Sequence, residues 1–166
     1  MRLGSCMLGL VLALLCSVAF GADAKQLAAA LGSASAVERR SAADGLADMG
    51  YGAQEAVPQL ITALSAADAE LRWRAARALG SIGSAQAVPA LRKLTSDSET
   101  MVRAQATYAL GRLKAEDQES MKAVIDRLAD KEVQVRRAAV RAMSMIKADR
   151  KVTIPLVVKM LEDADP

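Results

Sequence analysis

LRWRAARALGSIG, residues 71–83, is the stretch on which the fold turns. Leu71, Ala75, Ala78, Leu79 and Ile82 recur at three- and four-residue steps, so they share one face of an α-helix. The same pattern returns as ERRSAADGLADMG (38–50), VRAQATYALGRLK (102–114) and VRRAAVRAMSMIK (135–147). Arg39, Arg72, Arg103 and Arg136 form one column, at spacings of 33, 31 and 33 residues. Leu46, Leu79, Leu110 and Met143 form a second column, and Met49, Ile82, Leu113 and Ile146 a third. Ala42, Ala75, Ala106 and Ala139 stand between them, small enough to let neighbouring helices approach closely.

Each of these segments is followed by a second helical stretch: AVPQLITAL (56–64), AVPALRKL (87–94), MKAVIDRL (121–128) and TIPLVVKML (153–161). Pro58, Pro89 and Pro155 sit near three of the starts, where a missing N–H costs nothing. Gly50 and Gly83 fit the ends of the preceding helices. The unit is therefore helix A, turn, helix B, turn. No stretch alternates with period two, so strands are not expected. A single hairpin cannot bury both faces, whereas stacked hairpins make one continuous core. The expected fold is all-α, a right-handed α-solenoid of helical hairpins. Its parts are an N-terminal half-repeat (25–37) and four repeats at 38–70, 71–101, 102–134 and 135–166.

These residues resemble HEAT repeats in the short form of phycobilisome-lyase-like proteins, V-R-x-x-A-A-x-A-L-G-x-I-G, over about 38–166. The resemblance implies an armadillo-type scaffold or adaptor, with B helices lining the concave side. Some members of that family serve as lyase subunits. An Asp often stands six residues ahead of the column Arg, as Asp97 and Asp130 do here, while Ser33 and Ala66 depart from the pattern. The Arg column reads as structural, with the carboxylate accepting backbone N–H groups and meeting the guanidinium. Ligand binding by the Arg column is the alternative.

Composition narrows the chemistry. The chain has 166 residues, of which 25% are charged and 2% aromatic, and about a fifth are alanine. It has no His, and its two cysteines, Cys6 and Cys16, lie in an apolar N-terminal run. Imidazole catalysis is excluded, and no metal or cofactor site is expected. Residues 1–24 pair one early cation, Arg2, with an apolar stretch from Met7 to Phe20 and a small-residue exit, the marks of a signal peptide. Cleavage is expected after Ala24, with Gly21 as the runner-up, giving an exported periplasmic or secreted protein with no stable membrane span. A retained anchor is the alternative.

Charge drifts along the chain. Residues 25–70 hold three cations and six anions, and residues 121–159 hold ten and four. Helical spacing sends Gln59, Thr62, Arg92, Lys93, Lys122, Asp126, Arg127 and Lys159 away from the apolar face. These form the candidate partner-binding face, against the alternative of a merely solvated surface. Nucleic acid is not the expected partner, because net charge is only +3 and aromatic side chains for base stacking are scarce. Trp73 and Tyr108 read as joint-covering rings or interface anchors, Tyr51 as a turn residue, and the methionines as core. The apolar last helix, ending in Glu162-Asp163-Ala164-Asp165-Pro166, suggests end-to-end association or a longer array. The functional expectation is a non-catalytic protein-binding scaffold or adaptor. The alternative is an accessory or regulatory subunit of an enzyme complex, of lyase type.

Overall fold

The computed structural model describes residues 23–146 together with Val158. Among the described residues eight α-helices follow one another: α1 (Ala24–Ala30), α2 (Ala36–Met49), α3 (Val57–Ala63), α4 (Ala69–Ile82), α5 (Val88–Leu94), α6 (Thr100–Arg112), α7 (Gln118–Asp126) and α8 (Val133–Met145). Short 3-10 turns at Gly50–Ala56 and Ala85–Ala87 lead into α3 and α5, and a third, Arg127–Ala129, extends α7. No strand occurs among the described residues. The A helices α2, α4, α6 and α8 pack each on the next, and the B helices lie along one side of that stack. The expected all-α, right-handed solenoid of hairpins is the fold observed.

The columns read from sequence are the core. Leu46, Leu79 and Leu110 are fully buried and Met143 is 2% exposed, while Ala75, Ala106 and Ala139 have no exposed surface. Each buried leucine contributes about 1.5–3 kcal/mol relative to leaving it in water. Closeness of the A helices depends on small residues. A Cβ placed on Gly111 would stand 2.4 Å from the Ala142 Cα, and one on Gly80 would stand 3.2 Å from the Ala109 Cα. The B helices contribute a matching column, Leu60, Leu91 and Val124, all fully buried.

Helix ends follow local chemistry. Ser35 and Asp68 cap α2 and α4 with their side chains, and Asp117 caps α7. Gly83 ends α4 in the left-handed conformation at φ 83°. Position 114 is the equivalent C-terminal position of α6, and there the left-handed residue is Lys114 at φ 49°. Its N–H donates to the Gly111 carbonyl and the Ala115 N–H to the Leu110 carbonyl, the two bonds of a Schellman ending.

Two expectations need correction. Met49 and Met101 are 38% and 42% exposed, so the methionines are not uniformly core. Met49 occupies the column filled by Ile82 and Ile146, but Gly50 ends α2 there and the chain turns directly into a 3-10 segment. The carboxylates Asp97 and Asp130 meet the guanidinium of the preceding unit, not that of their own helix. Met160, Lys159, Pro155 and the expected signal segment up to residue 22 lie outside the described residues.

Candidate functional site

In every unit the column arginine is the fourth residue after the helix N-cap, and its Nη1 donates to two carbonyls of the turn that precedes it. Arg39 reaches the Ser33 and Ala34 oxygens at 2.7 and 2.9 Å, and Arg72 those of Ala66 and Ala67 at 2.9 and 3.1 Å. Arg103 takes the Asp97 and Ser98 oxygens at 3.0 and 2.9 Å, and Arg136 those of Asp130 and Lys131 at 3.0 and 3.1 Å. The four turns therefore share one backbone register.

The other edge of the guanidinium, Nε and Nη2, reaches forward. Arg72 grips Asp97 at 2.9 and 2.8 Å, and Arg103 grips Asp130 at 3.0 and 3.1 Å. Asp97 and Asp130 also accept the backbone N–H of Glu99 and Glu132, completing a cap that those glutamates do not make for themselves. One arginine thus ties its own turn to the next turn. Burial is the largest single influence and pushes both carboxyls up, but the arginine hydrogen bonds, the backbone N–H groups of Glu99 and Glu132 and the guanidinium charge together hold Asp97 and Asp130 below the usual carboxylate value.

The first joint is built differently. Ala66 stands where Asp97 and Asp130 stand in later turns, so the forward edge of Arg39 meets no carboxylate among the described residues. The clamp is moved over: Arg40 grips Asp68, the N-cap of α4, at 2.7 and 2.9 Å. That hydrogen bond holds Asp68 below the usual carboxylate value. The departures at Ser33 and Ala66 are legible in the sequence, but the substitute pair is not among the sequence expectations. Its signal was an Arg-Arg doublet facing an Asp two residues beyond the expected place.

Of the candidate face, Gln59, Thr62, Lys93, Lys122 and Asp126 are exposed. Thr62, Lys93 and Asp126 occupy one position on successive B helices, two residues after the buried Leu60, Leu91 and Val124. Ala29 of α1, also exposed, aligns with them. Arg92 and Arg127 are half-buried and engaged: Arg92 pairs with Asp117 at 3.0 Å and Glu119 at 2.7 Å, and Arg127 donates to the Thr95 carbonyl at 3.0 Å. Lys122 pairs with Asp126 one turn on at 2.9 Å. The cations expected to face a partner are largely neutralised by neighbours, and Lys159 lies outside the described residues.

Clefts open on both sides of the described stack. On the B side, a groove of about 980 Å³ runs between α1 and α3, with Ala28, Leu31, Ala63, Ala66 and Leu71 as apolar lining and Arg39, Gln59 and Thr62 as polar lining. On the A side, a cleft of about 630 Å³ crosses α4, α6 and α8 and includes Arg77, Met101, Tyr108 and Arg112. Tyr108 packs against Ala104, Val135 and Ala138, covering the joint between α6 and α8. Trp73 stacks under the Arg74 guanidinium at 4.2 Å, and Tyr51 is 80% exposed. No cluster of potential metal ligands occurs among the described residues, and none of the described helices is long and apolar enough to cross a membrane.

Stacked hairpins joined turn to turn in this way define an α-solenoid of the armadillo and HEAT kind. The HEAT-repeat profile matches residues 24–111 and 94–166, and the chain belongs to the HEAT-repeat family. Among solved structures it is similar to a designed armadillo repeat protein in complex with the peptide (KR)4, at 20% identity and TM-score 0.72, covering 91% of this chain and 79% of that one. It is also similar to the CpcE–CpcF complex of phycocyanin lyase from Nostoc sp. PCC7120, at 24% identity and TM-score 0.57, covering 88% and 73%. An engineered protein matches at 24% identity and TM-score 0.63, covering 84% and 68%. No curated protein sequence matches the chain.

Proposed function

We propose that the protein is an exported, non-catalytic scaffold that binds another protein along its B-helix side. The observation that carries this reading is the continuity of that side. Positions 29, 62, 93 and 126 repeat down four successive B helices with exposed side chains, while Leu60, Leu91 and Val124 beneath the last three are locked in the core. A rigid array of this kind presents an extended surface and loses little freedom on binding. The fold is shared with a designed armadillo protein in complex with a peptide, which supports the same use of the architecture.

Export rests on the pattern of Arg2, the apolar run from Met7 to Phe20 and the small residues after it. The folded body supports one refinement. Asp23 caps α1 by accepting the Lys25 N–H, and Ala24 is 2% exposed. Cleavage after Gly21 keeps both residues, whereas cleavage after Ala24 removes them.

A second reading, accessory subunit of an enzyme complex, is favoured by the likeness to the phycocyanin lyase complex. One experiment separates the two. The tagged full chain is expressed in its own host and recovered from the extracytoplasmic fraction after crosslinking, with mass spectrometry of what is held. A stoichiometric protein partner without catalytic change is the expected result. A partner enzyme whose rate depends on the chain supports the second reading, and recovery of the chain alone overturns both.

A further inference from the structure

The Arg39 guanidinium lines the B-side groove with one edge tied down and the other available. Its Nη1 is held by the Ser33 and Ala34 carbonyls, as in every other unit, so the group is positioned before any ligand arrives. Its Nε and Nη2 have no acceptor among the described residues. At the two homologous places that edge holds an aspartate with both oxygens, Arg72 on Asp97 and Arg103 on Asp130. Ala66 replaces the aspartate at the first joint, and Ala66 and Arg39 line the same groove of about 980 Å³. The Arg40–Asp68 pair clamps that joint independently, so the Arg39 edge is not spent on holding the two units together.

We propose that this groove binds a partner segment through an aspartate or glutamate side chain, which takes on Arg39 the place that Asp97 and Asp130 take on their arginines. The occupant is a peptide segment with small apolar residues beside the acid. Charge decides the sign: Lys25 and Glu55 offset each other among the lining groups, which leaves Arg39 as the net charge. Ala28, Ala29, Leu31, Ala63 and Leu71 supply the apolar walls. A preformed, apolar-walled cleft with a fixed bidentate donor is the arrangement that favours a carboxylate over a neutral amide. The inference deepens the scaffold reading and rests on it.

The test uses the full chain and an N-acetylated, C-amidated positional-scanning heptapeptide library, so that side chains are the only carboxylates. Selection of Asp or Glu at one position is expected. Replacing that acid by its amide, or Arg39→Gln in the protein, weakens binding about 10-fold or more. Ala66→Asp, which supplies the carboxylate from within, abolishes binding while the variant stays folded by circular dichroism. No acidic selection, or acidic selection that survives Arg39→Gln and Ala66→Asp alike, overturns the proposal. Saturation of the site by millimolar acetate alone, or a dimer in sedimentation that Ala66→Asp dissolves, assigns the groove to a small acid or a second copy and also overturns it. If the peptides fail while Ala66→Asp still captures the same partner from the extracytoplasmic fraction, this groove is wrong and the scaffold reading stands.

Discussion

Arg103 and Asp130 are the most enclosed ion pair in the described chain, with side chains only 7% and 6% exposed. The pair spans two repeats, and the arginine simultaneously holds the turn of its own unit. Removing one member leaves a buried charge without its counterpart. Asp130→Asn is expected to cost about 3 kcal/mol, seen as a fall of several degrees in the melting temperature. Glu119→Gln, which removes a 75% exposed partner of Arg92, is expected to melt like the wild type. Calorimetry of the two variants side by side checks the contrast.

Acid sensitivity follows from the same joints. Asp68, Asp97 and Asp130 are all held below their unfolded value of about 3.9. A carboxylate depressed in the folded state adds stability that is complete above its unfolded value and is lost as pH falls through its lower folded value. Urea midpoints are therefore expected to be level above about pH 5 and to fall below about pH 4. In Asp130→Asn the fall is shallower. An equal acid response in wild type and variant contradicts the assignment of these pairs as the acid-labile joints.

The tight seam between α6 and α8 predicts a cost for one added methyl. In Gly111→Ala the new Cβ meets Ala142 backbone at 2.4 Å, with no flexible side chain to give way. The helices must separate, at about 1–3 kcal/mol. Chemical denaturation measures it, and an unchanged midpoint shows that the seam is slack.

Lys114 offers the opposite change. It holds a left-handed backbone at φ 49° where Gly83 serves in the preceding unit. Lys114→Gly relieves the steric cost of a side chain there and is expected to stabilise by about 1 kcal/mol. A lower melting temperature contradicts the strain.

Much of this molecule was readable because repetition forces equivalent residues into equivalent surroundings. The leucine, alanine and arginine columns each have one packing solution, and spacing alone exposes them. What stayed hidden depends on which neighbour a side chain reaches. Asp97 lies six residues before Arg103 in sequence yet binds Arg72, because the turn delivers it to the previous helix. Arg92 looked like an outward cation, but the cap of α7 brings Asp117 to it. The groove was invisible for the same reason: Ala66 read as a gap in a pattern, and only the shared register of the turns shows that Arg39 faces it. Charge counted along a sequence says little about charge left unpaired on a surface.

On the proposed reading the forward edge of Arg39 is a carboxylate site equivalent to those of Arg72 and Arg103. The most direct measurement is thermal unfolding of Ala66→Asp beside Ala66→Asn. The aspartate variant is expected to gain about 1 kcal/mol, roughly 2–4 °C, and the asparagine variant to gain clearly less. An aspartate variant that melts at or below the wild type, or no higher than the asparagine variant, contradicts it.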